Sequence, residues 1–332
     1  MPFGGPFSVW NIIRELDLGD VRERADAPFA LVVAGQRDEA QRIAETIGGA
    51  PNQAGIHPWV TVLPVPLAPD PLPPTPRDVP AWAVVVTAAA RPTLDERDAV
   101  RRLAAAGAHV VALVLDDAAT RTHGADLPRD GEAARVVLPS HPAPAELRSS
   151  LAGAMAEVQD SPDAAIALAR RLPFFREPIV KLLVEEVAQA NAWYAVTTGA
   201  AEVIPGINVP LVVADVVVLT KNQLVMAYRI ALAAGKSGAA RDVLGELFSV
   251  LGGGLVFRQA ARTLVGLVPV IGIVPKVAVA YAGTRLIGAA AWMWATEGRA
   301  LPRDEARQLL ADSKRAARSL AQTLKKRLPR RG

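Results

Sequence analysis

The residues best placed for chemistry stand at the end of the first apolar run. Phe29-Ala-Leu-Val-Val-Ala34 leads into Gly35-Gln-Arg-Asp-Glu-Ala40-Gln41-Arg42. A strand followed by a glycine and then a helix is where α/β proteins bind phosphate, through backbone amides and the helix N-terminus. A phosphate-wrapping loop needs G-x-x-x-x-G-K-[ST]: the glycines admit the backbone, the lysine neutralises charge and the hydroxyl holds magnesium. Here Gly35 stands in the first place, but Ala40, Gln41 and Arg42 replace the second glycine, the lysine and the hydroxyl. Asp38 and Glu39 add negative charge where a triphosphate would lie. The other nucleotide contacts are missing too. A magnesium-sensing D-x-x-G falls at Asp70-Pro-Leu-Pro73, and a guanine-reading N-K-x-D at Asp116-Asp117-Ala118-Ala119. The pattern predicts a degenerate nucleotide loop with no tight GTP or ATP binding.

No other catalytic set stands out. The chain has no cysteine, which excludes disulfides, thiol nucleophiles and thiolate metal sites. His57, His109, His123 and His141 show no metal-ligand spacing. There is no G-x-S-x-G, and Asp116-Asp117 is the best acidic candidate, although adjacent side chains diverge. The expectation is no enzymatic activity, no metal and no cofactor.

The elements that would position these residues are legible from apolar periodicity. Of the 332 residues, 51% are hydrophobic and 21% charged, and mean hydropathy is +0.23, which leaves ample material for a core. Residues 6–25 read as an amphipathic helix with Trp10, Ile13 and Leu16 on one side. Strands are expected at 29–34, 81–87, 109–115 and 135–138. Helices are expected at 37–47, 94–106 and 144–158, with Thr93 as a cap and Gly107 as a stop. Pro58–Pro80 holds nine of the 27 prolines, so Trp59–Leu67 is at best an edge strand. After 160 only helical patterns follow. The reading is α/β plus all-α: an N-terminal helix (1–27), a small parallel α/β domain (28–159), an apolar helical domain (160–298) and a basic amphipathic helix (299–332).

Two stretches of the helical half are long and apolar: Val203–Leu219, interrupted by Asn208 and Asp215, and Thr263–Ala295, interrupted by Lys276, Thr284 and Arg285. Neither is a clean span of about 20 residues. A re-entrant membrane hairpin over 263–295, turning near Lys276, is the expectation, with an apolar core buried in the protein as its rival. On a helix over 211–233, Asp215, Asn222 and Arg229 recur every seven residues, with Gln223 beside them. This stripe either pairs with Arg285 on the hairpin or forms a solvated helix face, and the solvated face is the simpler reading. The last 34 residues carry eleven Lys/Arg and three Asp/Glu, a net of +8 in a chain whose total is +4. On the tail helix Ala306, Leu309, Leu310 and Ala317 share one side with Leu320, Leu324 and Leu328. Lys314, Arg315, Arg318, Lys325, Lys326 and Arg327 supply basic charge for anionic lipid headgroups. No recognition motif or stacking aromatic supports nucleic-acid binding.

Two resemblances add to this reading. Phe7-Ser-Val-Trp10-Asn-Ile-Ile-Arg14-Glu-Leu, then Phe29–Gly35, resembles the start of bacterial Era-like GTPases, and Val136-Val-Leu-Pro-Ser140 resembles their last nucleotide loop. Ile204-Pro-Gly-Ile-Asn-Val-Pro210, Asp215–Gln223, Pro269-Val-Ile-Gly272 and Gly283-Thr-Arg-Leu-Ile-Gly288 resemble the YcjF-like family, a bacterial helical domain of unknown function often fused to such GTPases. The resemblance implies a GTPase-like fold without the family's nucleotide site, on the cytoplasmic face of a bacterial inner membrane. It also implies a homo-oligomer with an unnamed protein partner. The alternative from another class is a divergent GTP-binding protein or GTPase using a non-standard site.

Overall fold

In the computed structural model, residues 9–49, 59–69, 80–88, 92–116, 133–158, 162–201, 208–250 and 273–327 are described. The chain falls into two compact units, Glu23–Ile179 and Met1–Arg22 with Val180–Gly332.

The first unit is built on five strands: β1 (Ala30–Gly35), β2 (Thr61–Pro64), β3 (Ala81–Thr87), β4 (His109–Leu115) and β5 (Ala133–Leu138). All pairings are parallel and the order is β2-β1-β3-β4-β5. This is the order of doubly wound sheets whose direction of winding reverses between β1 and β3. The register sets Val32 beside Ala83, Val84 beside Val111, and Ala112 beside Arg135. β1 and β3 are buried along their whole length, so they read as unbroken apolar runs rather than alternating ones. β2, flanked by prolines, closes one edge and is half exposed.

Helices α1 (Val9–Glu15), α2 (Gly19–Asp26), α3 (Arg37–Gly48), α4 (Leu94–Ala105), α5 (Pro144–Glu157) and α6 (Pro162–Arg171) come next in chain order. The single helix expected over 6–25 is broken. Asp17 Oδ1 accepts the Gly19 N–H at 3.1 Å, which caps α2 and ends α1. α4 begins with a full capping box. The Glu96 N–H donates to Thr93 Oγ1 at 3.2 Å, and the Thr93 N–H donates to Glu96 Oε2 at 2.8 Å. It ends at Gly107, whose φ of +88° suits a residue without a Cβ. Its Ala99, Val100 and Leu103 pack on Val32, Ala34, Ala83, Val85, Val110 and Ala112, one face of the sheet. Arg102 ties down the segment after β2 by donating to the carbonyls of Leu67, at 2.8 Å, Ala68 and Pro69.

At the amino edge of the sheet Arg171 lies over the rings of Phe29 (5.7 Å) and Trp59 (5.3 Å) and donates to the carbonyls of Ala25 and Asp26. Burial and the neighbouring Arg170 lower its pKa from the ordinary guanidinium value, while Asp26 opposes them. Arg170 is itself bonded to the Asp26 carboxylate at 2.9 Å. α6 is thereby fastened to the end of α2.

The second unit is helical. It holds most of α7 (Pro173–Ala201), then α8 (Asn208–Ala233), α9 (Ala240–Val250), α10 (Ile273–Glu297) and α11 (Arg303–Arg327). α1 belongs here, against α8 and α9, with Ile13 buried. α10 is enclosed on most sides, with Val277, Ala280, Tyr281, Ala282, Thr284, Ile287, Ala291 and Trp294 all buried, and its main neighbours are α8 and α11. A helix apolar all round is a buried one, and here α8 and α11 supply the cover. Pro275 and Lys276 lie in its first turn, where proline is tolerated. The first arm of the hairpin expected over 263–295, residues 263–272, lies outside the described residues. Among the described residues no helix is long and apolar enough to cross a membrane.

Candidate functional site

The carboxyl ends of β1 and β3 form the switch point where doubly wound sheets take ligands. In this chain the connection from β1 to α3 at that position is one residue long. β1 ends at Gly35 and α3 begins at Arg37, so Gln36 alone makes the turn. Ala40, Gln41 and Arg42 are therefore helical residues rather than members of a wrapping loop. Ala40 is fully buried beneath the helix. Gln41 Nε2 donates to Glu45 Oε1 at 2.9 Å. Arg42 donates through Nε and Nη2 to Glu39 Oε2 at 3.0 and 2.6 Å. Asp38 and Glu39 occupy the first turn, where the helix dipole favours carboxylates and a bound phosphate would meet them. Gly35 is needed for a close strand approach: a Cβ there would lie 2.8 Å from the Val86 carbonyl oxygen.

The buried carboxylate nearest this point is Glu96, which periodicity did not single out. It is 3% exposed, and besides its cap bond it accepts from Thr87 Oγ1 at 3.2 Å. Through Oε2 it holds the start of α4 to the end of β3. Asp116 follows β4, and its N–H donates to the Leu138 carbonyl at 2.9 Å. Asp70, Asp117 and Ala119, together with His57 and His123, lie outside the described residues. His109 is half-buried, its ring 6.1 Å from that of Trp82, and His141 lies just after β5. No group of three or more metal-binding side chains occurs among the described residues.

The other polar constellation lies inside the helical unit. Asn222 and Gln223 turn inward from α8, contrary to the solvated face expected of them. Asn222 Nδ2 donates to Asn191 Oδ1 (2.9 Å), Asn191 Nδ2 donates to Thr284 Oγ1 (2.9 Å), and Gln223 Nε2 donates to the same hydroxyl (3.2 Å). Thr284 Oγ1 donates to the Ala280 carbonyl at 2.8 Å. Asn191 and Thr284 are fully buried and Gln223 is 3% exposed. Asn191 had no sequence signal beyond being an amide on a long helix, whereas Thr284 interrupts an apolar run. Of the expected stripe, Arg229 is half-buried on α8 and the side chain of Asp215 lies outside the described residues, so its pairing with Arg285 does too.

Arg285 instead stands 5.7 Å from the Tyr281 ring. The Tyr281 hydroxyl donates to Glu185, 2.7 and 2.9 Å from its two oxygens. Burial, then the hydrogen bond and charge of Glu185, push the phenol up to about 12 from 10.0, while Arg285 works the other way. A phenol raised in the folded state contributes stability in full below pH 10, and that contribution is lost as pH rises from 10 to about 12. One of the three tyrosines should accordingly ionise near pH 12 in an absorbance titration at alkaline pH. The late step should vanish in Tyr281→Phe. A titration that keeps it in that variant refutes the assignment.

On α11, Ser313 and Ala317 are buried and Ala306, Leu309 and Leu310 half-buried, while Lys314 and Arg315 are exposed. Arg315 is paired with Asp312. The backbone of Arg318, Lys325, Lys326 and Arg327 continues the helix, and their side chains lie outside the described residues. No protein-family model, curated protein or solved structure matches this chain.

Proposed function

We propose that this chain is a non-catalytic docking and scaffold protein. Its α/β unit would present a protein-binding surface in place of a nucleotide site, and its helical unit would hold it peripherally at an anionic membrane surface. The reading is carried by the one-residue turn from β1 to α3. A triphosphate needs a wrapping loop of free backbone amides, and here the loop is one residue long and the first-turn amides of the helix share their turn with two carboxylates. Peripheral association, rather than insertion, is favoured by the enclosure of α10 among its neighbours. The attraction would come from the net +8 of residues 299–332, at about 1 kcal/mol for each basic residue near the surface.

Titration calorimetry with magnesium and GTP tests the first half. No saturable heat is expected up to millimolar nucleotide, and micromolar binding would overturn the reading. Flotation with phosphatidylglycerol-rich and phosphatidylcholine vesicles tests the second half. Binding is expected to the anionic vesicles only, and to be lost when Lys314, Arg315, Arg318, Lys325, Lys326 and Arg327 are changed together to glutamate. Equal flotation with both vesicles, or no loss in the variant, refutes it. Charge reversal is preferred to deleting α11, because that helix covers α10.

A further inference from the structure

We propose that the buried amide–hydroxyl layer of the helical unit is a register lock. Asn191, Asn222, Gln223 and Thr284 would select one alignment of α7, α8 and α10 among several that their apolar faces would accept. Those faces are built mostly of alanine and valine. Ala188, Ala192, Ala195 and Val196 of α7 meet Leu219 of α8 and Val277, Ala280 and Tyr281 of α10 in one cluster. Sliding such a helix by one turn, about 5.4 Å, replaces alanine with alanine or valine and changes little apolar burial. Cores so evenly packed tend towards near-degenerate arrangements.

The polar layer removes that degeneracy. Thr284 Oγ1 is a node between three helices: it donates once, within α10, and accepts from Asn191 of α7 and Gln223 of α8. Its donor and both lone pairs are engaged, so the layer has no free valence at its centre for a ligand. A one-turn slip would face these groups with aliphatic carbon and leave buried donors and acceptors unpaired, the costly state for a polar group. One turn along α10, a shape key reinforces the chemical one. Gly288 lies so close to Val184 of α7 that a Cβ would come within 2.5 Å of its methyl carbon. Only a glycine opposite Val184 fits, so the same register satisfies both. A single buried amide sets the alignment of paired helices in coiled coils by the same physics.

The test uses the full chain, which has no cysteine of its own. Spin labels are placed on the exposed positions Gln189→Cys and Thr296→Cys, and the inter-label distance is measured by pulsed electron resonance. The parent should give one narrow distance. In the variant Asn191→Leu, Asn222→Leu, Gln223→Leu and Thr284→Val, helical circular dichroism should persist. The distance should split into at least two populations separated by about 5 Å, one helical turn. The smaller variant Asn191→Leu with Thr284→Val, which adds less volume, should split likewise. A single unchanged distance in either folded variant overturns the proposal and assigns the register to the Gly288–Val184 fit and the Tyr281–Glu185 bond. Loss of helical structure in both variants also overturns it, because the layer would then supply stability rather than choice.

Discussion

Gly35→Ala should loosen the α/β unit by about 2 kcal/mol, through overpacking against a group that cannot turn aside. The new methyl would meet the Val86 carbonyl at 2.8 Å, and a strand's backbone oxygen has no rotamer to change. β1 and β3 would have to part at the switch point. For a unit of this size the loss corresponds to roughly 4–8 °C in thermal midpoint. It should appear first as faster amide exchange along β1 and β3. Gly153→Ala is the control: that site is inside α5, with nothing within 4 Å of a built Cβ. It should cost nothing and gain up to about 1 kcal/mol from helix propensity. Equal exchange rates in the two variants would refute the close approach.

Two glycines of α10 should respond to alanine with opposite signs. Both are interior helix positions, where alanine is intrinsically better by about 1 kcal/mol. At Gly283 a Cβ meets nothing within 4 Å, so the substitution should stabilise the helical unit by roughly that amount. At Gly288 the Cβ would lie 2.5 and 2.8 Å from the two γ-methyls of Val184, whose β-branched side chain has few alternatives. Overpacking of about 1–3 kcal/mol then exceeds the propensity gain, and Gly288→Ala should melt earlier. Adding Val184→Ala should recover most of the loss and leave Gly283→Ala unaffected. Stabilisation by Gly288→Ala alone would place α7 and α10 further apart than described.

Local signals were enough for the elements. β3 and β4 run over 81–87 and 109–115, as their apolar runs predict, and α4 starts at the Thr93 cap and stops at Gly107. Capping and periodicity act within one or two turns of chain, so a single sequence carries them. The break between α1 and α2 is equally local, yet apolar spacing hid it. Trp10, Ile13 and Leu16 keep a helical rhythm past the end of α1 at Glu15, up to Asp17, whose carboxylate accepts the first N–H of α2.

Which elements meet is a different matter. The order β2-β1-β3-β4-β5, the packing of α1 on α8 and α9, and the enclosure of α10 depend on partners far along the chain. The loop residues follow the same division. Their types alone argued against phosphate binding, because a missing lysine or glycine is a chemical fact. That Ala40, Gln41 and Arg42 are helical, and that Gly35 serves the approach to Val86, required the sheet.

The sequence by itself determined the strands, most helix limits, the basic tail and the absence of a G-x-x-x-x-G-K-[ST] loop after β1, since each depends on side-chain chemistry or short-range backbone preference. The tertiary structure alone decided that Asn222 and Gln223 face inward. A seven-residue spacing defines a side of a helix but does not say what covers it, and here Asn191 and Thr284, 93 positions apart, supply the covering hydrogen bonds.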